Sequence, residues 1–393
     1  MGFIKSFLLF LAAVGAAFGE FKVVGYAPSW SINVSTIKYD LYTHINYAFV
    51  LPSDGNGGLG SVPSASKLNS IVTGAHAKGV KVCISIGGWN NGDDKNFEAM
   101  AANADARAAF TGNVMKMVRQ YNLDGADIDW EYPDPGVSGT NNTALMQLLA
   151  DSLHAAGKLL TAAVISSGGT GGGWTAAALA TVDFLNLMAY DGGSHSLMSQ
   201  AEGSLTYWLG RGLPQAKAIL GVPFYGRGGT GSGSFKDLVA ADPANAFRDE
   251  YLGHKYNGIP TMKLKAALAV KKGGGIMFWE MSQDTQDPKT SLLYAIHQTM
   301  DSLIGPSALG RPLVRGGLDI RSATGGSIRY VLPEAGLVSL SAVSLDGGTV
   351  QLFQGVEGAG SHSRMLPARP ILSGVYLLTV RQNGRSAVRR AVF

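Results

Sequence analysis

Asp124-Gly125-Ala126-Asp127-Ile128-Asp129-Trp130-Glu131 sets three carboxylates at alternate positions inside a stretch that otherwise reads as a buried strand. Successive side chains of a β-strand take opposite faces, so Asp127, Asp129 and Glu131 share one face while Ile128 and Trp130 take the other. Asp124 has the opposite parity to those three acids and reads as a structural hydrogen-bonding residue. Carboxylates about 4 to 6 Å apart cannot all ionise, so at least one carries a proton near neutral pH. A protonated carboxyl beside ionised ones is the state a general acid requires. A calcium loop also alternates Asp, but it is rich in Gly and Asn and has no opposing apolar face.

Outward from this segment, the runs 22–26, 44–50, 80–86, 125–131, 159–165, 184–190, 218–223 and 275–279 read as strands. Helical patterns lie between them at 64–78, 105–121, 142–156, 199–211 and 261–272. Eight strands alternating with helices over residues 20–304 predict an α/β fold, a (β/α)8 TIM barrel, with a doubly wound sheet as the competing arrangement. Barrels of this kind place their chemistry where the strands end. Those ends read Tyr26-Ala27-Pro28-Ser29-Trp30, Ser85-Ile86-Gly87-Gly88-Trp89, Asp129-Trp130-Glu131-Tyr132, Met188-Ala189-Tyr190-Asp191, Pro223-Phe224-Tyr225-Gly226-Arg227 and Phe278-Trp279-Glu280. Such a ring suits a sugar, whose apolar faces stack on aromatic rings and whose hydroxyls need fixed donors and acceptors.

The chain is 46% hydrophobic and 15% charged with 53 glycines, a globular composition rich in tight turns. A formal charge of +4 without a Lys/Arg run argues against nucleic acid as a partner. The start Met1-Gly2-Phe3-Ile4-Lys5, an apolar run from Phe7 to Ala17 and the exit Ala17-Phe18-Gly19 predict a signal peptide over residues 1–19. No later stretch reaches the ~20 apolar residues of a membrane span, so a secreted, extracellular monomer is expected. Cys83 lies in an apolar strand and reads as a small buried thiol. No Cys/His cluster suggests a metal, and no cofactor is expected.

The composition changes after residue 304. A Gly- and Pro-containing linker spans 305–317, and short alternating runs over 318–393 predict a small all-β sandwich. Residues 307–393 hold ten arginines, no lysine, four acids and no tryptophan, a net +6 that leaves −2 for the rest of the +4 chain. Without a tryptophan platform a polysaccharide-binding role is poorly supported, and Tyr330, Phe353 and Tyr376 read as core.

The segment Asp124 to Glu131, followed by Tyr132-Pro133, resembles the DxxDxDxE motif of family 18 glycoside hydrolases, the chitinase and endo-β-N-acetylglucosaminidase family. The likeness runs through the whole barrel: Gly25-Tyr26, Ser29-Trp30, His44-Ile45-Asn46-Tyr47-Ala48-Phe49, Ser85-Ile86-Gly87-Gly88-Trp89, Met188-Ala189-Tyr190-Asp191, Gly221-Val222-Pro223-Phe224-Tyr225-Gly226-Arg227 and Gly274-Gly275-Ile276-Met277-Phe278-Trp279-Glu280 all look like its strand signatures. The resemblance implies hydrolysis of chitin or N-acetylglucosamine oligosaccharides with retention, the substrate's own N-acetyl group attacking the anomeric carbon. By position in the motif, Glu131 would be the acid and then the base. Asp129 would hold the acetamido N–H, Asp127 would hold the shared proton, and Tyr190 would donate to the acetamido carbonyl. Depth in the strand marks Asp127 as the protonated acid. Tyr26, Trp89, Met188, Asp191, Arg227 and Trp279 are expected to bind substrate, with Trp279 flooring the cleavage subsite and Trp30 extending the aromatic floor. Ser85 shares the inward parity of Cys83 and is expected to bond Asp127.

The 45 residues between Arg227 and Gly273 are too few for the insertion domain that walls a deep tunnel in many relatives, so an open groove and internal cleavage are expected. The resemblance also leaves an endo-β-N-acetylglucosaminidase and a non-enzymatic lectin as alternatives, although lectin-type relatives usually lose the acid that Glu131 retains. The C-terminal segments Ile328 to Gly336, Gly374 to Leu378 and Val388 to Phe393 look like the β-sandwich sorting domains of secreted bacterial proteins, which implies possible attachment at the cell surface.

Overall fold

The computed structural model describes residues 21–304 and, beyond them, 318–324, 327–332, 336–344, 348–358, 360–365, 375–382 and 385–392. The expected signal peptide at 1–19 and linker at 305–317 lie outside the described residues. The chain divides into two compact units, with the division after Gly310.

Seven parallel strands open the first unit: β1 (Lys22–Pro28), β2 (His44–Val50), β3 (Lys81–Gly87), β4 (Gly125–Asp129), β5 (Leu159–Ile165), β6 (Phe184–Met188) and β7 (Ala218–Pro223). A short antiparallel hairpin, β8 (Glu250–Tyr251) with β9 (His254–Lys255), precedes the last barrel strand, β10 (Gly275–Trp279). β10 pairs with both β7 and β1, which closes an eight-stranded barrel. The surrounding helices are α1 (Ala65–His76), α2 (Lys95–Ala102), α3 (Ala104–Gln120), α4 (Val137–Ala155), α5 (Ala176–Thr181), α6 (Met198–Gly210), α7 (Phe235–Ala241), α8 (Ile259–Lys272) and α9 (Leu292–Ile304). Among the described residues no helix is long and apolar enough to cross a membrane.

Strand parity sorts two cores. Outward side chains such as Ile45, Ile84, Ala126, Ile128 and Leu160 pack under the helices, whereas Val24, Tyr26, Phe184, Ile219 and Met277 fill the barrel's interior. Asp124 closes the N-terminal side of β4, its Oδ2 accepting from the Val82 amide at 2.8 Å and lying 2.8 Å from Nε2 of His76. Cys83 is a buried free thiol in β3.

The second unit has two antiparallel sheets. One is ordered β11 (Asp319–Thr324), β12 (Ser327–Leu332), β15 (Gly360–Met365); the other is ordered β14 (Thr349–Glu357), β13 (Gly336–Ser344), β16 (Val375–Gln382), β17 (Arg385–Val392). Tyr330 and Tyr376 lie in its small apolar core and Phe353 packs against that core, so none of the three forms an exposed platform.

The last helix is held by one buried carboxylate. Asp284 accepts from the Leu292 and Leu293 amides of α9 at 2.9 and 3.0 Å, from the Thr285 amide at 2.8 Å and from Ser291 Oγ at 2.6 Å. An Asp284→Ala substitution strands several buried donors at once, and about 2–3 kcal/mol of stability should be lost. The midpoint of urea unfolding measures it.

Candidate active site

Inside the barrel, Asp127 on β4 is completely buried. Its Oδ1 accepts from Thr161 Oγ1 at 2.6 Å and Asn186 Nδ2 at 3.2 Å; its Oδ2 accepts from Tyr26 Oη at 2.7 Å and Ser85 Oγ at 2.8 Å. The four donors stand on β1, β3, β5 and β6. Burial raises the Asp127 carboxyl, and these donors oppose that rise by favouring its charged form.

One pleat higher, Asp129 is buried with its Oδ1 unpartnered among the described residues. Burial pushes its carboxyl far above the ordinary range, and the negative fields of Glu131 and Asp127 push it further. Asp127, where the sequence reading places the proton, is raised as well, though less strongly than Asp129. Both acids are buried, but donors reach both oxygens of Asp127 whereas Asp129 Oδ1 has none among the described residues, so Asp129 is the more strongly pushed toward its protonated form. Glu131 is also raised, by burial first and by the field of Asp191.

β4 ends at Asp129, two residues before the expected end. Gly87, with φ +115°, lies so close that an added Cβ would fall 2.2 Å from the Asp129 carbonyl oxygen, and that oxygen accepts from the Gly88 amide at 2.8 Å. Trp130 still faces the helices: its ring stacks on Phe97 at 5.3 Å and its Nε1 donates to Asp94 at 2.9 Å. Glu131 is thereby turned to the cavity side. Non-proline cis peptides lie at Ala48–Phe49, Glu131–Tyr132 and Trp279–Glu280, all at the barrel mouth.

A cavity of about 1150 Å³ opens at this mouth. Tyr26, Trp89, Asp129, Glu131, Met188, Tyr190, Asp191, Arg227 and Trp279 all line it, whereas Asp127 lies beneath. Trp279 stacks on Phe49 at 5.5 Å with 13° between the planes, and Trp30 stands 6.3 Å away. Trp30 and Trp89 are 65% and 59% exposed, an unusual state for rings of this size unless a ligand covers them. On the opposite wall, Asp191 Oδ1 accepts from Tyr225 Oη at 2.7 Å and Arg227 Nε at 2.8 Å. The His195 ring, 3.5 Å from Oδ1, and these two bonds hold its carboxyl below the usual range despite burial. Arg227 also pairs through its backbone with Lys255 of β9 at 2.8 and 3.0 Å, so the short hairpin braces this wall.

Thr161, Asn186, His195 and Gln200 were not singled out from sequence, and Phe49 and Tyr225 stood in quoted strand segments without an assigned role. A signal existed for two of them: Thr161 and Asn186 are inward-parity polar residues in otherwise apolar strands.

Paired carboxylates and stacking aromatics at the carboxyl mouth of a closed parallel barrel define a barrel of the glycoside hydrolase class. Residues 22–284 match the model of glycosyl hydrolases family 18, and the chain belongs to that family. It is 29% identical to chitotriosidase-1 of Mus musculus, over 80% of this chain and 81% of the relative. Chitinase A1 of Niallia circulans is 28% identical over 72% of this chain and 59% of its own length. The chain spans from 11% to 81% of the first curated relatives it matches. Among solved structures, the chitinase ChiB from the chitin utilization locus of Flavobacterium johnsoniae superposes with a TM-score of 0.66 at 30% identity, covering 72% of this chain and 95% of that one.

An Asp127→Ala substitution leaves the Tyr26, Ser85 and Thr161 hydroxyls and the Asn186 amide without their shared acceptor. It should cost about 3 kcal/mol or more, measured by chemical unfolding. A midpoint equal to that of the unsubstituted protein would show that the donors re-pair among themselves.

Proposed function

We propose that the chain is a secreted chitinase that hydrolyses β-1,4 bonds between N-acetylglucosamine units, with retention and with the substrate supplying the nucleophile. One observation carries this reading: the described cavity offers a proton donor but no free ionised carboxylate to attack. Of the acids lining it, Glu131 is the donor, Asp129 is pushed toward its protonated form by burial and its acidic neighbours, and Asp191 is engaged by Tyr225 and Arg227. An enzyme nucleophile would need a second free carboxylate about 5–5.5 Å from the acid. An N-acetyl oxygen on the sugar fills that role.

The acceptors and donors for such a group are in place. The Tyr190 hydroxyl donates to the weak acceptor Met277 Sδ at 3.8 Å, a bond it can exchange for one to an acetamido carbonyl. The unpartnered Asp129 Oδ1 can accept the acetamido N–H. As positive charge builds on the cyclised acetamido group, the proton on Asp129 becomes unfavourable, and Asp127 below it is the neighbouring carboxylate that can take it. Glu131 protonates the leaving oxygen and then, as carboxylate, activates water. Trp279 and Phe49 supply an apolar face for the sugar ring. A hairpin rather than a domain stands between β7 and β10, which supports an open groove and cleavage within chains. The leader and the C-terminal β-module fit export and retention near the cell surface.

Wild-type protein should hydrolyse chitooligosaccharides and colloidal chitin, and should leave fully deacetylated oligomers uncut, because these lack the attacking group. Release from a high-mannose glycoprotein instead would favour the N-glycan endoglycosidase, and binding without turnover a lectin. Disaccharide as the dominant product from the first minutes would contradict internal cleavage. Glu131→Gln should lower kcat on the order of 10³-fold or more while oligosaccharide binding persists.

The pH profile gives a further check. Glu131 acts first as an acid, and its pKa in the folded protein is raised, so activity is present below that pKa and lost as pH rises through it. The basic limb of kcat/KM should therefore lie above the range of an ordinary glutamate.

A further inference from the structure

At the end of β6 the backbone makes an abrupt turn at Asp191, with φ 60° and ψ 175°, a region that residues with a Cβ rarely occupy. This corner presents the Tyr190 ring and the Asp191 carboxylate to the cavity, and two side chains beyond it take up its backbone groups. The Asp191 amide donates to His195 Nδ1 at 3.0 Å. Gln200 Nε2, in the first turn of α6, donates to the Tyr190 carbonyl at 3.1 Å and to the Asp191 carbonyl at 3.0 Å.

The hydrogen bonds leave each side chain one role. His195 is 5% exposed; its Nδ1 accepts from the Asp191 amide and lies 3.5 Å from Asp191 Oδ1, and with Nδ1 accepting, Nε2 donates to the Tyr225 carbonyl 3.1 Å away. One ring thus ties the Asp191 corner to the segment after β7, where the Tyr225 hydroxyl returns to the Asp191 carboxylate. Gln200 leaves its own Oε1 buried and unpartnered while both bonds of its amide nitrogen go to the corner. A glutamine serving only its helix would be expected to satisfy both ends of its amide.

We infer that His195 and Gln200 are positioning residues of the reaction, which hold the strained Tyr190–Asp191 corner so that its hydroxyl and carboxylate face Glu131 and the bound acetamido group. The inference rests on the proposed acetamido chemistry. Neither side chain needs to touch the substrate. Their effect passes through Tyr190, whose hydroxyl must meet a developing charge, and through Asp191, whose negative field reaches Glu131. The other titratable groups facing Glu131 are Asp129 and Tyr132 beside it, Tyr190 after β6, and Asp93 and Asp94 across a small neighbouring cleft. Tyr225 and Arg227 act on it through Asp191.

The test compares wild type, Gln200→Met, which keeps length but removes both donors, and His195→Phe, which keeps a ring but removes both nitrogens. Each is assayed on a chitooligosaccharide across pH and melted alone. Release of the corner should lower kcat about 10- to 100-fold with KM changed by less than about threefold. With Asp191 displaced, the basic limb of kcat/KM should move to lower pH, a shift that loss of folded protein cannot produce. Unchanged kcat, or a loss that parallels the fall in Tm and leaves the limb in place, overturns the positioning role. Absence of turnover in the wild type would instead overturn the proposed chemistry, and the positioning role with it.

Discussion

Four hydrogen bonds converging on the Asp127 carboxylate are the constraint on which the rest of the site depends. A bare carboxylate in a protein interior is costly, and only donors aimed at its oxygens offset the loss of water. Here the donors come from Tyr26, Ser85, Thr161 and Asn186, which stand on four different strands and lie up to 160 residues apart in sequence. They meet only when the barrel closes. The charge at the base of the site and the closure of the sheet are thus one structural event.

The electrostatics above Asp127 follow from it. A negative group beneath and another beside Asp129 make its ionisation unfavourable, and no donor reaches its Oδ1 to compensate. A proton on Asp129 would in turn limit the charge that Glu131 must face. Asp191 balances the opposite wall: its own charge is held by Tyr225 and Arg227, yet its field still favours the protonated form of Glu131. Three acids at period two therefore end as three different groups. Their environments separate them, since their residue types alone do not.

Much of this was legible in the chain because strand parity is a hard rule. The bounds of β2, β5, β7 and β10 agree with the sequence reading, and the alternation 127, 129, 131 places the acids on the inner side. Two kinds of information were not legible. Local periodicity does not register short helices such as α2, α5 and α7, which are held by packing under loops more than by their own pattern, and the apolar α9 was absorbed into the approach to the linker. The different surroundings of Asp127 and Asp129 were not legible for a related reason. Depth in a strand measures burial, but the donors that reverse its effect arrive from distant strands. Asn186 and Tyr26 are neighbours in space only, and no spacing in the sequence expresses that.

The same separation in space divides stability from function. Among the described residues, the strands enclose Val24, Phe184, Ile219 and Met277 in a buried apolar interior. At the mouth the free protein carries several features that burial alone would remove: Trp30 and Trp89 largely exposed, an unpartnered Asp129 oxygen, and a positive φ at Asp191. Each is unfavourable by itself, and under the proposed chemistry an N-acetylated sugar would relieve the first two by covering the rings and bonding the oxygen. The third persists, held by neighbouring side chains. A rigid barrel whose closure is tied to Asp127 can sustain such an unsatisfied rim, and the rim is where binding free energy can be used for the reaction.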